Sequence, residues 1–148
     1  MISFHSGIQA LRNFKVRDLN EKINSTFPHI KLLSSEYIHF IETGSKLNNK
    51  SQLILEKLLS YSPQSNTSNS LQKIIIIPRI GTISPWSSKA TDICQLCSLH
   101  EIKRIERGII YHFSQKIKSE ELEDILNFVM DRMTESHLKN IDDSSLLF

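Results

Sequence analysis

The sequence predicts an α+β domain, an α/β sandwich built from duplicated βαβα half-domains packed as a pseudo-dimer. Three observations point there. The order strand-helix-strand-helix can be read twice along the 148 residues. Between the two readings lies Ser62-Pro63-Gln64-Ser65-Asn66-Thr67-Ser68-Asn69-Ser70, a stretch rich in breakers and without an apolar residue, which reads as a solvated linker. The second strands echo each other, Tyr37-Ile38-His39-Phe40 against Tyr111-His112-Phe113. A βαβα unit cannot bury a sheet face alone, so the two should share one core. The expected boundaries are a first half at about 1–62, a linker at 63–72, a second half at about 73–140 and a tail at 141–148, all within a single domain.

Each element has its own signal. Ile2 to His5 reads as a short strand. Ile8, Leu11, Val16, Leu19, Ile23 and Phe27 suggest a helix from Ile8 onward, with a break near Asn13. Ile30 to Ile41 reads as a strand in its second half, with Ile38 and Phe40 on one face and Tyr37, His39 and Ile41 on the other, and Gly44 turns the chain. Ser51 to Tyr61 is a helix on the strength of Ile54, Leu55, Leu58 and Leu59. After the linker, Lys73 to Ile77 is a buried strand stopped by Pro78. Ser87 to Leu99 is a helix with Trp86, Ala90, Ile93, Cys94 and Cys97 along one stripe, capped at Ser87 or Ser88. Ile102 to Phe113 is a strand. Ser119 to Met133 is a helix with the stripe Leu122, Ile125, Leu126, Val129 and Met133, capped by Ser119 with acidic residues behind it. The tail after Asn140 reads as the start of a linker.

Composition narrows the function classes. An apolar fraction of 39% and a charged fraction of 23% are those of a soluble globular domain. A net charge of +2 gives no electrostatic case for nucleic acid or membrane as partner. The longest apolar run, Ile74 to Ile77, is far short of a bilayer span, and no secretory signal precedes it, so the expected location is cytoplasmic. Asn24-Ser25-Thr26 and Asn66-Thr67-Ser68 match the glycosylation pattern but lack the secretory context it needs. Cys94-Gln95-Leu96-Cys97 with His100 invites a metal or redox reading. No second ligand pair follows, and the cysteines sit late in their helix on its apolar stripe, so core packing is expected and no metal site.

The stretch Pro78-Arg79-Ile80-Gly81-Thr82-Ile83-Ser84-Pro85-Trp86-Ser87-Ser88-Lys89-Ala90-Thr91-Asp92-Ile93 joins a strand to a helix. Such a junction gathers N–H groups and hydroxyls around one spot, which suits an anion or a partner's carboxylate; a well-capped turn would use the same residues. It is no phosphate-binding loop of the ATPase type, because Trp86 stands where that motif needs glycine. The cations Arg79, Lys89, Lys103, Arg104 and Arg107 gather around it, either docking an acidic partner or forming a solvated face with Glu101 and Glu106. No catalytic triad can be assembled, so no catalytic residue is expected here. The tentative contact residues, interdomain or anion-contacting, are Arg79, Thr82, Ser84, Trp86, Ser87, Ser88, Lys89 and Arg107.

That stretch closely resembles a run near the N-terminus of the large, single-chain phosphoribosylformylglycinamidine synthases, from which only Ile80 departs, the family having proline there. Glu36-Tyr37-Ile38-His39-Phe40, Arg104-Ile105-Glu106-Arg107-Gly108 and Asp131-Arg132-Met133-Thr134-Glu135 resemble further motifs of the same family. The resemblance implies a PurS-like N-terminal domain of an ATP- and glutamine-dependent enzyme of purine biosynthesis. It implies the family's synthetase and glutaminase domains as partners, with ATP and magnesium bound in the full-length enzyme and no cofactor in this part. The role left to this domain is structural, holding the other domains together and sharing in a path for ammonia. Two rival classes stand beside it: a small-molecule-binding regulatory module, and an RNA-binding module that the absence of exposed aromatic pairs on the strands disfavours.

Overall fold

The computed structural model describes residues 2–59 and 71–148. In chain order they form β1 (Ile2–Gln9), α1 (Asn13–Thr26), β2 (Leu32–Thr43), α2 (Asn49–Leu59), β3 (Gln72–Pro78), α3 (Pro85–Leu96), β4 (Ile102–Phe113), α4 (Ser119–Val129), β5 (Glu135–Leu138) and a closing 3-10 segment, Ile141–Leu147. The fold class is α+β. One antiparallel sheet of 5 strands runs in the order β1-β2-β4-β3-β5. The expected linker falls at 63–70 outside the described residues, and Gln72, placed in that linker, begins β3.

β2 and β4 lie side by side at the centre, paired from Leu32↔Phe113 to Thr43↔Ile102. Successive side chains of a strand point to opposite faces. One face therefore carries Ile41 with Ile105, and Tyr111, under the helices. α1 and α4 cover one end of it through Ile23, Ile125, Leu126 and Val129, which pack on Ile74, Ile76, Tyr111 and Phe113. α2 and α3 cover the other end, where Leu55 and Cys94 meet Ile41, Leu99 and Ile105. The opposite face holds Ile38, Phe40, Ile77 and Ile110, and its cover is Leu147 and Phe148 from the C-terminal segment. The tail expected to begin a linker is thus folded onto the sheet.

The bounds Leu32–Thr43 and Asn49–Leu59 recur with one constant offset at Ile102–Phe113 and Ser119–Val129. That offset matches Tyr37 to Arg107 and His39 to Ile109. The echo of Tyr37–Phe40 in Tyr111–Phe113 is therefore a likeness of residue types and not of position. Gly108, matched to Ile38, sits where a Cβ would lie 2.7 Å from Ile76 O, so no larger residue fits without moving β3.

Several boundaries differ from expectation. β1 runs on to Gln9, opposite Glu36, and the break foreseen near Asn13 is the true start of α1. α4 ends at Val129, and Met133 is 77% exposed instead of completing the stripe. Asp131 turns the chain out of the helix by accepting Glu135 N–H at 2.8 Å on its backbone oxygen. The N-cap of α4 is Lys118, not Ser119; its backbone N–H donates to the Glu121 carboxylate at 3.4 Å. β5, absent from the sequence reading, is a strand of 4 residues lying on the edge of β3.

Candidate functional site

β3 pairs with β4 only from Ile109 to Phe113, so among the described residues no strand covers the outer edge of β4 from Ile102 to Gly108. A bare edge leaves backbone groups without partners. α3 supplies them. Ser87, Thr91 and Gln95 stand four apart, which aligns them in one row along the helix. Ser87 Oγ donates to Ile105 O at 2.6 Å, Thr91 Oγ1 accepts from Ile105 N at 3.2 Å, and Gln95 Nε2 donates to Ile102 O at 2.8 Å. The buried line of α3 is thus partly polar. Ile93, placed on the apolar stripe by spacing, is 42% exposed.

The loop entering α3 is braced from β4. Glu106, read as part of a solvated face, is fully buried. It accepts from Ser84 Oγ at 2.6 Å and from Arg104 at 2.8 Å. Arg104 also donates to Ser87 Oγ at 3.2 Å, Thr82 O at 3.1 Å and Leu147 O at 2.6 Å, and stacks on Phe148. One guanidinium therefore ties together β4, the loop, α3 and the C-terminal segment. Ser84, not Ser87 or Ser88, is the N-cap, its Oγ accepting Ser87 N–H at 3.0 Å. Pro85 explains the earlier start, since proline is favoured at the first helical position, where its missing N–H costs nothing. Gly81 adopts a positive φ of 88° and lets Thr82 N–H close back onto Arg79 O at 3.1 Å.

On the helix-covered face, His39 and Arg107 are register partners. The Arg107 guanidinium lies between two rings, 4.3 Å from the centroid of Tyr37 and 4.7 Å from that of Trp86. Trp86 in turn stacks on His39 with centroids 5.5 Å apart. Burial first, then the charges of Arg107 and His5, push His39 down to about 4. His39 is thus neutral at neutral pH, and Arg107 carries the positive charge of the stack.

Where β3 peels away from β4, a cavity of about 260 Å3 opens, lined by Tyr37, Pro78, Ser84, Arg107, Gly108, Thr134 and Glu135 among others. Each of the stretches quoted for the family resemblance contributes to it. A second cavity of about 190 Å3 lies between α2 and α3, lined mainly by Leu58, Leu59, Trp86, Ile93 and Cys94, with Lys89 at its rim.

The residues singled out in the sequence divide accordingly. Ser84 and Ser87 have their hydroxyls committed to bonds within the domain, and Trp86 is half-buried on His39 and Arg107. Thr82 gives its hydroxyl to Arg79 O at 2.6 Å. Arg79, Thr82, Ser88 and Lys89 are exposed, and Arg107 is half-buried at the cavity wall. Sequence reasoning gave no role to Glu135, placed Tyr37 only on a strand face, and read Arg104 and Glu106 as part of a docking or solvated charged face, not as an internal brace. Cys94 is a core residue whose thiol burial pushes up, with Cys97 adding to the effect. Among the described residues no three His, Cys, Asp or Glu side chains are grouped to hold a metal, and no helix is long and apolar enough to cross a membrane.

Fold and loop together define an α+β domain whose motif stretches converge on one opening in an antiparallel sheet. The chain belongs to the formylglycinamide ribonucleotide amidotransferase N-terminal family, whose model matches residues 36–148. It is a domain of that purine-biosynthesis enzyme.

Proposed function

We propose that this chain is a non-catalytic structural module of the amidotransferase, which docks onto the synthetase and glutaminase domains of the same enzyme through the loop from Arg79 to Lys89. The observation that carries the reading is that this loop is braced from within yet shows apolar side chains outward. Ile80 is 44% and Ile83 62% exposed, beside the exposed Arg79 and Lys89, while Ser84, Ser87 and Arg104 hold the backbone behind them. A rigid apolar patch rimmed by charge loses little entropy on docking. In the same reading, the two βαβα halves are a fused PurS-like pseudo-dimer. The constant offset of their bounds and the adjacency of β2 and β4 support it. ATP, magnesium and the glutamine-hydrolysing nucleophile belong to the other domains.

The test mixes this chain with the separately produced remainder of the enzyme. Binding and recovery of amidine formation are expected with the native chain, and neither with Ile83→Asp combined with Ile80→Asp. Turnover by the 148-residue chain alone, or full recovery with the double variant, would overturn the reading.

A further inference from the structure

The opening beside Arg107 has chemistry of its own, independent of the docking role. Two opposite charges line it, Arg107 and Glu135. Among the described residues they form no ion pair with each other or with a third group. The guanidinium lies over the rings of Tyr37 and Trp86, and among the described residues the only hydrogen bond from Arg107 outside the strand ladder is that of its backbone N–H. A planar fork fixed in this way presents donors in the geometry of a carboxylate. Glu135 spends Oε1 on Asp131 N–H at 2.9 Å and keeps its other oxygen. The neighbouring carboxylate, Glu106, is neutralised by Arg104 and takes the Arg107 backbone N–H at 3.1 Å, so it does not compete for the guanidinium.

A lone anion in this cavity would face Glu135, and a lone cation would face Arg107. A molecule bearing both charges meets each with its opposite. The volume, about 260 Å3, is below the roughly 300–1,000 Å3 of pockets for drug-sized ligands, so the occupant is small. We infer that this cavity binds a small zwitterion with one carboxylate and one ammonium group, the chemistry of a free α-amino acid, with the carboxylate on Arg107 and the ammonium on Glu135.

Calorimetric titration of the 148-residue chain with each common amino acid, with acetate and with methylammonium tests the assignment; the emission of Trp86, the only indole, which lies against the Arg107 guanidinium, reports binding, and the variants below locate it. At least one amino acid should bind saturably and change that emission, with acetate and methylammonium each about tenfold weaker or worse. Arg107→Gln should abolish the response. Because that change also disturbs the ring stack, Glu135→Gln is the decisive variant: it retains an acceptor for Asp131 and should reduce amino-acid affinity to that of acetate while leaving acetate no weaker. The inference fails if no amino acid binds better than acetate, or if Glu135→Gln binds amino acids as the native chain does.

Discussion

The outer edges of the two central strands are finished in different ways. β1 stays on β2 from Glu36 to Glu42, and among the described residues no strand covers that outer edge at its start, Leu32 to Ser35. Residues just after β1 and one helix side chain complete that edge. Ala10 N–H and Leu11 N–H reach Ser35, and Asn20 clamps Leu32 with two bonds of 2.6 Å. β3 leaves β4 sooner: its pairing with β4 stops at Ile76, while its other edge stays paired with β5 from Ile75 to Pro78. The additional bare stretch is Glu106-Arg107-Gly108, matched by the offset to Glu36-Tyr37-Ile38, which β1 does pair. The edge of β2 is thus closed mostly by backbone, with Asn20 clamping its start. That of β4 is closed with the Ser87, Thr91 and Gln95 row and the Arg104–Glu106 pair, and what remains open becomes the cavity. The candidate site arises where the edges of β2 and β4 are covered differently.

The sharpest way to test that contrast is to remove the buried carboxylate. Glu106→Ala strips the acceptor from Ser84 and leaves Arg104 without its charge partner in a largely buried position. A loss of about 3–5 kcal/mol in urea unfolding is expected. A loss below about 1 kcal/mol would mean that the loop is not braced by this pair.

Acid should act nearly as strongly, through a residue of the first half set in surroundings made by the second. His39 belongs to β2, but Trp86 and Arg107 enclose it. Its folded value is about 4 against an ordinary 6.5, so the unfolded chain takes up a proton before the folded one does. The stabilisation is complete above pH 6.5 and is lost as pH falls towards 4, by about 3 kcal/mol in all. His39→Gln should flatten that part of the stability profile. An unchanged slope in the variant would move the acid sensitivity to another group.

Much of the framework was legible in the sequence. β4 lies where alternation and Phe113 placed it, and Pro78 ends β3. What was not legible depended on partners remote in the chain. Glu-Ser-His-Leu at 135–138 has no strand pattern and becomes β5 only because β3 offers an edge. Glu106 looked solvated because the arginines nearby suggested a charged surface; its burial depends on Ser84 and Arg104 meeting it from different elements. The Ser87, Thr91 and Gln95 row was passed over for the apolar stripe, because its use depends on the neighbouring strand lacking a partner. Sequence showed where the motif residues were, and topology decided which of them stayed free.

Smaller effects compare the helix clamps directly. Asn20→Leu removes both bonds to Leu32 at once and should cost about 1–3 kcal/mol. Thr91→Val removes one acceptor from Ile105 N–H and should cost about 1 kcal/mol, since the rest of the row remains. If Thr91→Val proved the more damaging, the division of labour between the edges would be reversed.

The mildest change falls at the rim of the row. Gln95 donates to Ile102 O and lies 3.0 Å from His100 through Oε1, in a half-buried position that water can reach. Gln95→Ala lets solvent replace the lost donor, so the expected cost is about 0.5–1 kcal/mol. The effect should be local. Ser87 and Thr91 both act on Ile105, inside the row, so exchange at Ile105 should stay slow while exchange near the start of β4 quickens. Amide hydrogen exchange separates the outcomes. Faster exchange confined to residues near Ile102 fits a row of independent clamps on a bare edge. Faster exchange along β4 to Arg107 would show instead that α3 holds the edge as one unit, and that loosening its end opens the wall of the cavity.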